Sequence, residues 1–194
     1  MKITILSDVL SNIHALMAVW HDFEYIQPDE IYCLGYLVGH GAYPNETIDF
    51  VTKNNISRVM GNYDDAVGFD RESCGCAREN PANVTLSNYS LYWTKQYTSG
   101  DNKTFLRGFP TSIRKKRCGH RLLFVNTGLV GNLKDGDSRA GYVLLTLKIG
   151  KANVYYSRAD YNVSAAAQAV RMNGLPEQFA SQLETGGGKA LVPA

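Results

Sequence analysis

The sequence predicts a mixed α/β fold with parallel strands at its centre, and three observations carry that prediction. An apolar run, Ile3 to Leu6, opens the chain and stops at Ser7-Asp8. Three strand–loop–helix units then follow one another. Each turns on a polar or glycine-containing stretch: Asp8-Val9-Leu10, Gly35-Tyr36-Leu37 and Gly61-Asn62-Tyr63-Asp64. Strands alternating with helices cover both faces of a parallel sheet, so this order of elements selects the layered α/β class.

The elements follow from residue spacing. Residues 2–7 form a buried strand, with β-branched Thr4 between Ile3 and Ile5. Asn12 is placed to cap a helix in which Ile13, Leu16, Met17, Trp20 and Phe23 share one face; Met17 and Trp20 read as core, His14 and His21 as surface. Pro28-Asp29 breaks that helix, and Glu30–Leu34 is the second strand. Pro44 suits the first turn of a helix through Lys53, and Ser57–Met60 is a third strand. Residues 66–82 have weak periodicity and read as an excursion or small cap. Val84–Tyr97 is helical, and Asp101 caps a short helix ending before Pro110. Ile113–Arg117 and Arg121–Val125 read as a hairpin turned at Gly119-His120. Tyr142–Leu147 and Asn153–Tyr156 form another, turned at Gly150-Lys151. An alanine-rich helix, Ser164–Met172, stops at Asn173-Gly174, and Pro176–Leu183 is a last helix before a frayed tail over 185–194.

Bulk composition narrows the function classes. A chain of 194 residues, 44% hydrophobic and 20% charged, has the make-up of one cored domain spanning 1–194. A net charge of +2 gives no strong nucleic-acid signal, and Arg114-Lys115-Lys116-Arg117 is short enough to be a solvated strand end. No stretch reaches the roughly 20 apolar residues that span a bilayer, and the N-terminal run ends too early for a signal peptide. The expectation is a cytoplasmic protein whose four cysteines, Cys33, Cys74, Cys76 and Cys118, are free thiols. Cys74-Gly75-Cys76 lacks the second pair that a structural zinc site needs.

In a parallel sheet the three loops open on one edge, which brings Asp8, Tyr36 and Asn62 toward one another. Here the sequence resembles the calcineurin-like metallophosphoesterase superfamily, specifically its compact prokaryotic phosphodiesterase-like branch. The resemblance is carried by Lys2-Ile3 through Ser7-Asp8 and Ser11-Asn12, Leu34-Gly35 with Leu37-Val38-Gly39, Tyr43-Pro44-Asn45-Glu46, and Gly61-Asn62-Tyr63-Asp64. Asn126-Thr127-Gly128, Val130-Gly131 and Asp135-Gly136-Asp137-Ser138-Arg139-Ala140 extend it. It implies a four-layer αββα sandwich of two mixed sheets flanked by helices. It also implies hydrolysis of phosphodiesters or phosphomonoesters by two divalent metals (manganese, magnesium, iron or zinc), which clamp attacking and leaving oxygens from about 3.5–4 Å apart.

Carried over by position, the implied site is depleted. Asp8 and Asn62 match metal ligands. Leu10 stands where the resemblance implies a histidine, and Tyr36 where it implies the bridging aspartate; a phenol protonated near neutral pH is a poor ligand for a hard cation. Tyr63 takes the proton donor's position and Asp64 that of the acid orienting it. The later histidine motifs are missing, because Arg121–Val125 runs directly into Asn126-Thr127-Gly128 where a strand–helix–strand segment is implied. The expectation is a weak or inactive phosphoesterase, or a pseudoenzyme that binds a phosphate-bearing small molecule or a protein partner. The shortened sheet leaves an edge for a homodimer to cover.

Overall fold

The computed structural model describes residues 1–75, 81–113, 129–131 and 135–187. A five-stranded mixed sheet lies at its centre, in the order β3-β2-β1-β4-β5. β1 (Lys2–Leu6) pairs in parallel with β2 (Glu30–Cys33), and β2 in parallel with β3 (Ser57–Arg58). On the other side of β1, β4 (Ala140–Lys148) runs antiparallel, and β5 (Lys151–Ala159) pairs antiparallel with β4. The class is the mixed α/β arrangement that the sequence predicts. The hairpin at Ile113–Arg117 and Arg121–Val125 lies outside the described residues except at Ile113, as do Cys76 and the tail beyond residue 187.

The described residues also contain seven helices: α1 (Ile13–Ile26), α2 (Pro44–Lys53), α3 (Asn62–Gly68), α4 (Pro81–Tyr97), α5 (Gly100–Arg107), α6 (Val163–Met172) and α7 (Glu177–Thr185). Asn12 caps α1 as its position demands, its side chain accepting the Ala15 amide at 3.1 Å. The α5 cap is Ser99, whose hydroxyl accepts from the Asn102 amide, and Asp101 lies inside the helix instead. The excursion expected from residue 66 begins later, because α3 continues through Gly68. The β4–β5 turn is Ile149-Gly150, one residue earlier than the expected Gly150-Lys151, with Gly150 in the left-handed conformation (φ 70°) that glycine adopts most readily.

The core forms where α1 lays Ala15, Leu16, Val19 and Phe23 on the sheet beside Leu6, Cys33 and Tyr142. Burying a Leu side chain contributes about 1.5–3 kcal/mol, so Leu6 and Leu16, both fully buried, are large terms. Met17 departs from its expected role: it is 55% exposed, being one position off the stripe that α1 presents to the sheet. A second cluster joins α6 and α7 through Ala167, Val170, Phe179 and Leu183, with Trp93 of α4.

Two cysteines are settled. Cys33 is a buried free thiol, with burial pushing it up to about 12. Cys74 is disulfide-bonded, which corrects the expectation of four free thiols; its partner lies outside the described residues. No helix among the described residues is long and apolar enough to cross a membrane.

Candidate functional site

The strand ends create one compact junction. The loop after β1 is bonded along the loop after β2: the amides of Asp8, Leu10 and Ser11 donate to the carbonyls of Gly35, Tyr36 and Leu37 at 3.1, 3.1 and 2.9 Å. The loop after β3 packs on the same segment so closely that a Cβ on Gly61 would stand 2.3 Å from the Tyr36 nitrogen. A fourth segment arrives from between α5 and β4. The amides of Val130 and Gly131 donate to the carbonyls of Ser7 and Asp8, both at 2.9 Å. The convergence expected for Asp8, Tyr36 and Asn62 is thus built by their backbones.

Side chains then decide what the junction can do. Asp8 is half-buried, and one carboxylate oxygen accepts the Ser7 hydroxyl at 2.5 Å. Asn62 is the first residue of α3 and is exposed. Leu10 is 6% exposed and faces a cavity of about 10 Å³, room for one water and far less than a phosphate ester needs. Tyr36 packs against the core with its ring 5.1 Å from that of Tyr63.

Asp64 and Tyr63 are fully buried. The Asp64 carboxylate accepts four backbone amides: Gly61 and Tyr36 at 2.9 Å on one oxygen, Leu37 at 2.8 Å and Val38 at 3.3 Å on the other. It therefore ties the loop after β2 to the start of α3. Burial pushes its carboxyl up to about 6, with the four amides pulling the other way. The Tyr63 hydroxyl donates to the Ser87 carbonyl of α4 at 3.0 Å, away from solvent.

Tyr63 also belongs to an aromatic series. Its ring meets Tyr36 on one side and the His40 imidazole edge-on at 5.5 Å, and His40 stacks on Phe179 of α7 at 4.6 Å. Gly39 allows this approach, since a Cβ there would stand 2.5 Å from the Tyr63 ring. The local sequence gave one signal for this packing, the Gly39-His40-Gly41 stretch. It gave none for Phe179, which arrives from another helix. Asp64 follows Gly61 by three residues, the spacing at which a helix's third residue reaches back to the cap amide, so that contact was available in the sequence.

Five non-glycine residues in these two loops hold left-handed backbone angles: Asp8, Leu10, Ser11, Tyr36 and His40, with φ between 52° and 57°. For Leu and Tyr that conformation costs on the order of 1 kcal/mol or more. The loops keep a strained path that Leu10 and Tyr36 do not themselves favour; the amide bonds to Gly35, Leu37 and Asp64 over-determine it. Among the described residues no group of three or more His, Cys, Asp or Glu side chains is arranged to hold a metal ion.

Comparison with known proteins agrees with this fold. An uncharacterized protein of Methanocaldococcus jannaschii is 24% identical over 246 residues, covering 95% of this chain and 98% of its own. That aligned span is longer than the 194 residues present here, as expected of a chain lacking an internal segment of its relatives. A metallophosphoesterase from Sphaerobacter thermophilus superposes with a TM-score of 0.72 at 22% identity, over 96% of this chain and 99% of that one. A hypothetical protein from Pyrococcus horikoshii superposes with a TM-score of 0.75 at 18% identity, over 97% and 99%. Residues 1–146, which contain β1 to β3 and all four converging loops, match the calcineurin-like phosphoesterase family, and the chain is a member of that family.

Proposed function

We propose that this chain is a phosphoesterase-family protein whose strand-end centre no longer supports two-metal hydrolysis, the fold being kept as a binding scaffold. The observation that carries the reading is the use made of the junction's polar groups. The Asp64 carboxylate is occupied by four backbone amides, the Tyr63 hydroxyl is buried against Ser87, and Leu10 and Tyr36 fill the two positions where ligands would stand. A binuclear centre needs a carboxylate that bridges two cations, and a phenol packed against Tyr63 does not replace one. The residues present therefore do not fit a pair of metals. Asp8 and Asn62 remain as two oxygen donors, enough at most for one largely hydrated magnesium or manganese ion that would lean on a substrate phosphate for its other ligands.

A second reading, weak metal-dependent phosphodiester hydrolysis, draws support from the exposure of Asn62 and the partial exposure of Asp8. One experiment separates the two: turnover of bis-p-nitrophenyl phosphate with manganese, for the wild type and Asp8→Ala, with metal content of the purified protein measured by elemental analysis. The scaffold reading expects no turnover above the metal-only blank and no stoichiometric metal. Two metal equivalents, or turnover that disappears in Asp8→Ala, overturns it. Thermal-shift measurements with nucleotides and cyclic nucleotides then ask whether a phosphate-bearing ligand is retained.

A further inference from the structure

The two edges of the sheet are built differently. β3, at one edge, is two residues long, and so short a strand gives little template for pairing. β5, outermost at the other edge among the described residues, runs for nine residues in unbroken register with β4, from Ala140↔Ala159 to Lys148↔Lys151. Strands left open at an edge are normally blunted by a proline, a bulge, or charges along their length. β5 has no proline, its regular ladder excludes a bulge, and its two charged residues, Lys151 and Arg158, sit at its ends. Arg158 is in addition engaged by Asp135 and Asp137. Between those ends lies Asn153-Val154-Tyr155-Tyr156-Ser157, with Tyr155 50% and Tyr156 67% exposed, and neither tyrosine makes a side-chain hydrogen bond or ring contact among the described residues.

We propose that β5 is a dimerisation edge that pairs antiparallel with β5 of a second copy of this chain, giving one continuous sheet across a two-fold axis at Tyr155. The strand is complementary to itself in that register. Tyr155 faces its own copy, Tyr156 faces Val154, Asn153 faces Ser157, and the full nine residues overlap. Aromatic pairs and aromatic–β-branched pairs are favoured across strands, and like charges directly opposite are not. Here each charge meets an alanine, Lys151 opposite Ala159 and Arg158 opposite Ala152, with the two basic residues on opposite faces of the strand. An isologous contact of this kind closes as a dimer instead of growing into a fibre. The proposal does not depend on whether the strand-end junction hydrolyses anything.

The test is the solution mass of the full chain by analytical ultracentrifugation and light scattering across the micromolar range. The wild type is expected at twice the chain mass. Tyr155→Lys and Tyr155→Glu, each placing like charges opposite one another at a surface position, are expected to be monomers with unchanged far-UV circular dichroism. Mixing the two variants should restore a dimer. A monomeric wild type, or charge variants that dimerise as the wild type does, overturns the proposal. Amide hydrogen exchange on the wild type keeps the test decisive if a variant misfolds. A paired β5 protects successive amides from Lys151 to Ala159, whereas fast exchange at every second one refutes the pairing.

Discussion

Substituting Gly61 by alanine tests the loop junction with little other disturbance. Gly61 has φ −87° and ψ 165°, angles open to any residue, so alanine meets no backbone strain of its own. Its new methyl would stand 2.3 Å from the Tyr36 nitrogen, 3.0 Å from an Asp64 carboxylate oxygen and 3.1 Å from the Gly35 carbonyl carbon. Carbon–nitrogen contact requires the loop after β2 to retreat by roughly 1 Å. Amide bonds from Tyr36 and Leu37 to Asp64, now 2.9 and 2.8 Å, would then pass beyond hydrogen-bonding range. Hydrogen bonds to a charged group are worth about 1.5–3 kcal/mol each, so two lost bonds predict a destabilisation of about 3–6 kcal/mol. Unfolding in urea, followed by circular dichroism, should show a midpoint lowered by about 2 M at the slope of about 2 kcal/mol/M usual for small proteins. Gly100→Ala is the control, because a Cβ there meets nothing within 4 Å and the residue begins α5. It should leave stability unchanged or raise it by up to about 1 kcal/mol. A loss below about 1 kcal/mol in Gly61→Ala would refute the claim that the junction is closed by backbone contact.

Asp64 makes stability depend on pH. Because its folded-state value is raised by burial to about 6, the native state holds a proton between about pH 4 and 6 that the unfolded chain has released. Its contribution therefore falls as pH rises through that window, by up to about 3 kcal/mol. The stability difference between the wild type and Asp64→Asn should shift by that amount across the window, and parallel curves would contradict the assignment. Tyr63→Phe removes the donor to the Ser87 carbonyl and should cost about 1 kcal/mol in thermal unfolding. An unchanged melting temperature would contradict the stabilising role of that buried bond. Phe179→Ala withdraws the ring that stacks on His40 and fills the α6–α7 cluster; a loss of about 3–5 kcal/mol is expected by calorimetry. A loss under about 1 kcal/mol would mean that the aromatic series does not hold α7 to the junction.

The sequence by itself determined the succession of elements and the family. Strand and helix periods are local, and so are the signals that stop them. Asn12 therefore caps α1, Pro44 opens α2, and Asn173-Gly174 ends α6 as the spacing predicts. The residue types at Leu10 and Tyr36, on which the proposed loss of metal ligands rests, were equally legible in the sequence. Where local reading failed, it misplaced a role by a position or two. Met17 has the apolarity of the α1 stripe yet lies off the sheet, and the α5 cap went to Ser99 because its hydroxyl reaches the Asn102 amide.

Only the tertiary structure decided what the polar groups of the strand-end junction contact. The four amides gathered by Asp64 come from two loops, the ring stacked on His40 comes from α7, and the amides closing on Ser7 and Asp8 come from residues 130 and 131. Apart from the Gly61 amide, no local pattern encodes such contacts, since each depends on segments separated by tens of residues being brought within contact range. The sheet edge has the same origin. Asn153–Tyr156 reads as a strand in sequence, but its position at the end of the sheet among the described residues, with two tyrosines exposed, follows from the pairing of β4 with β1.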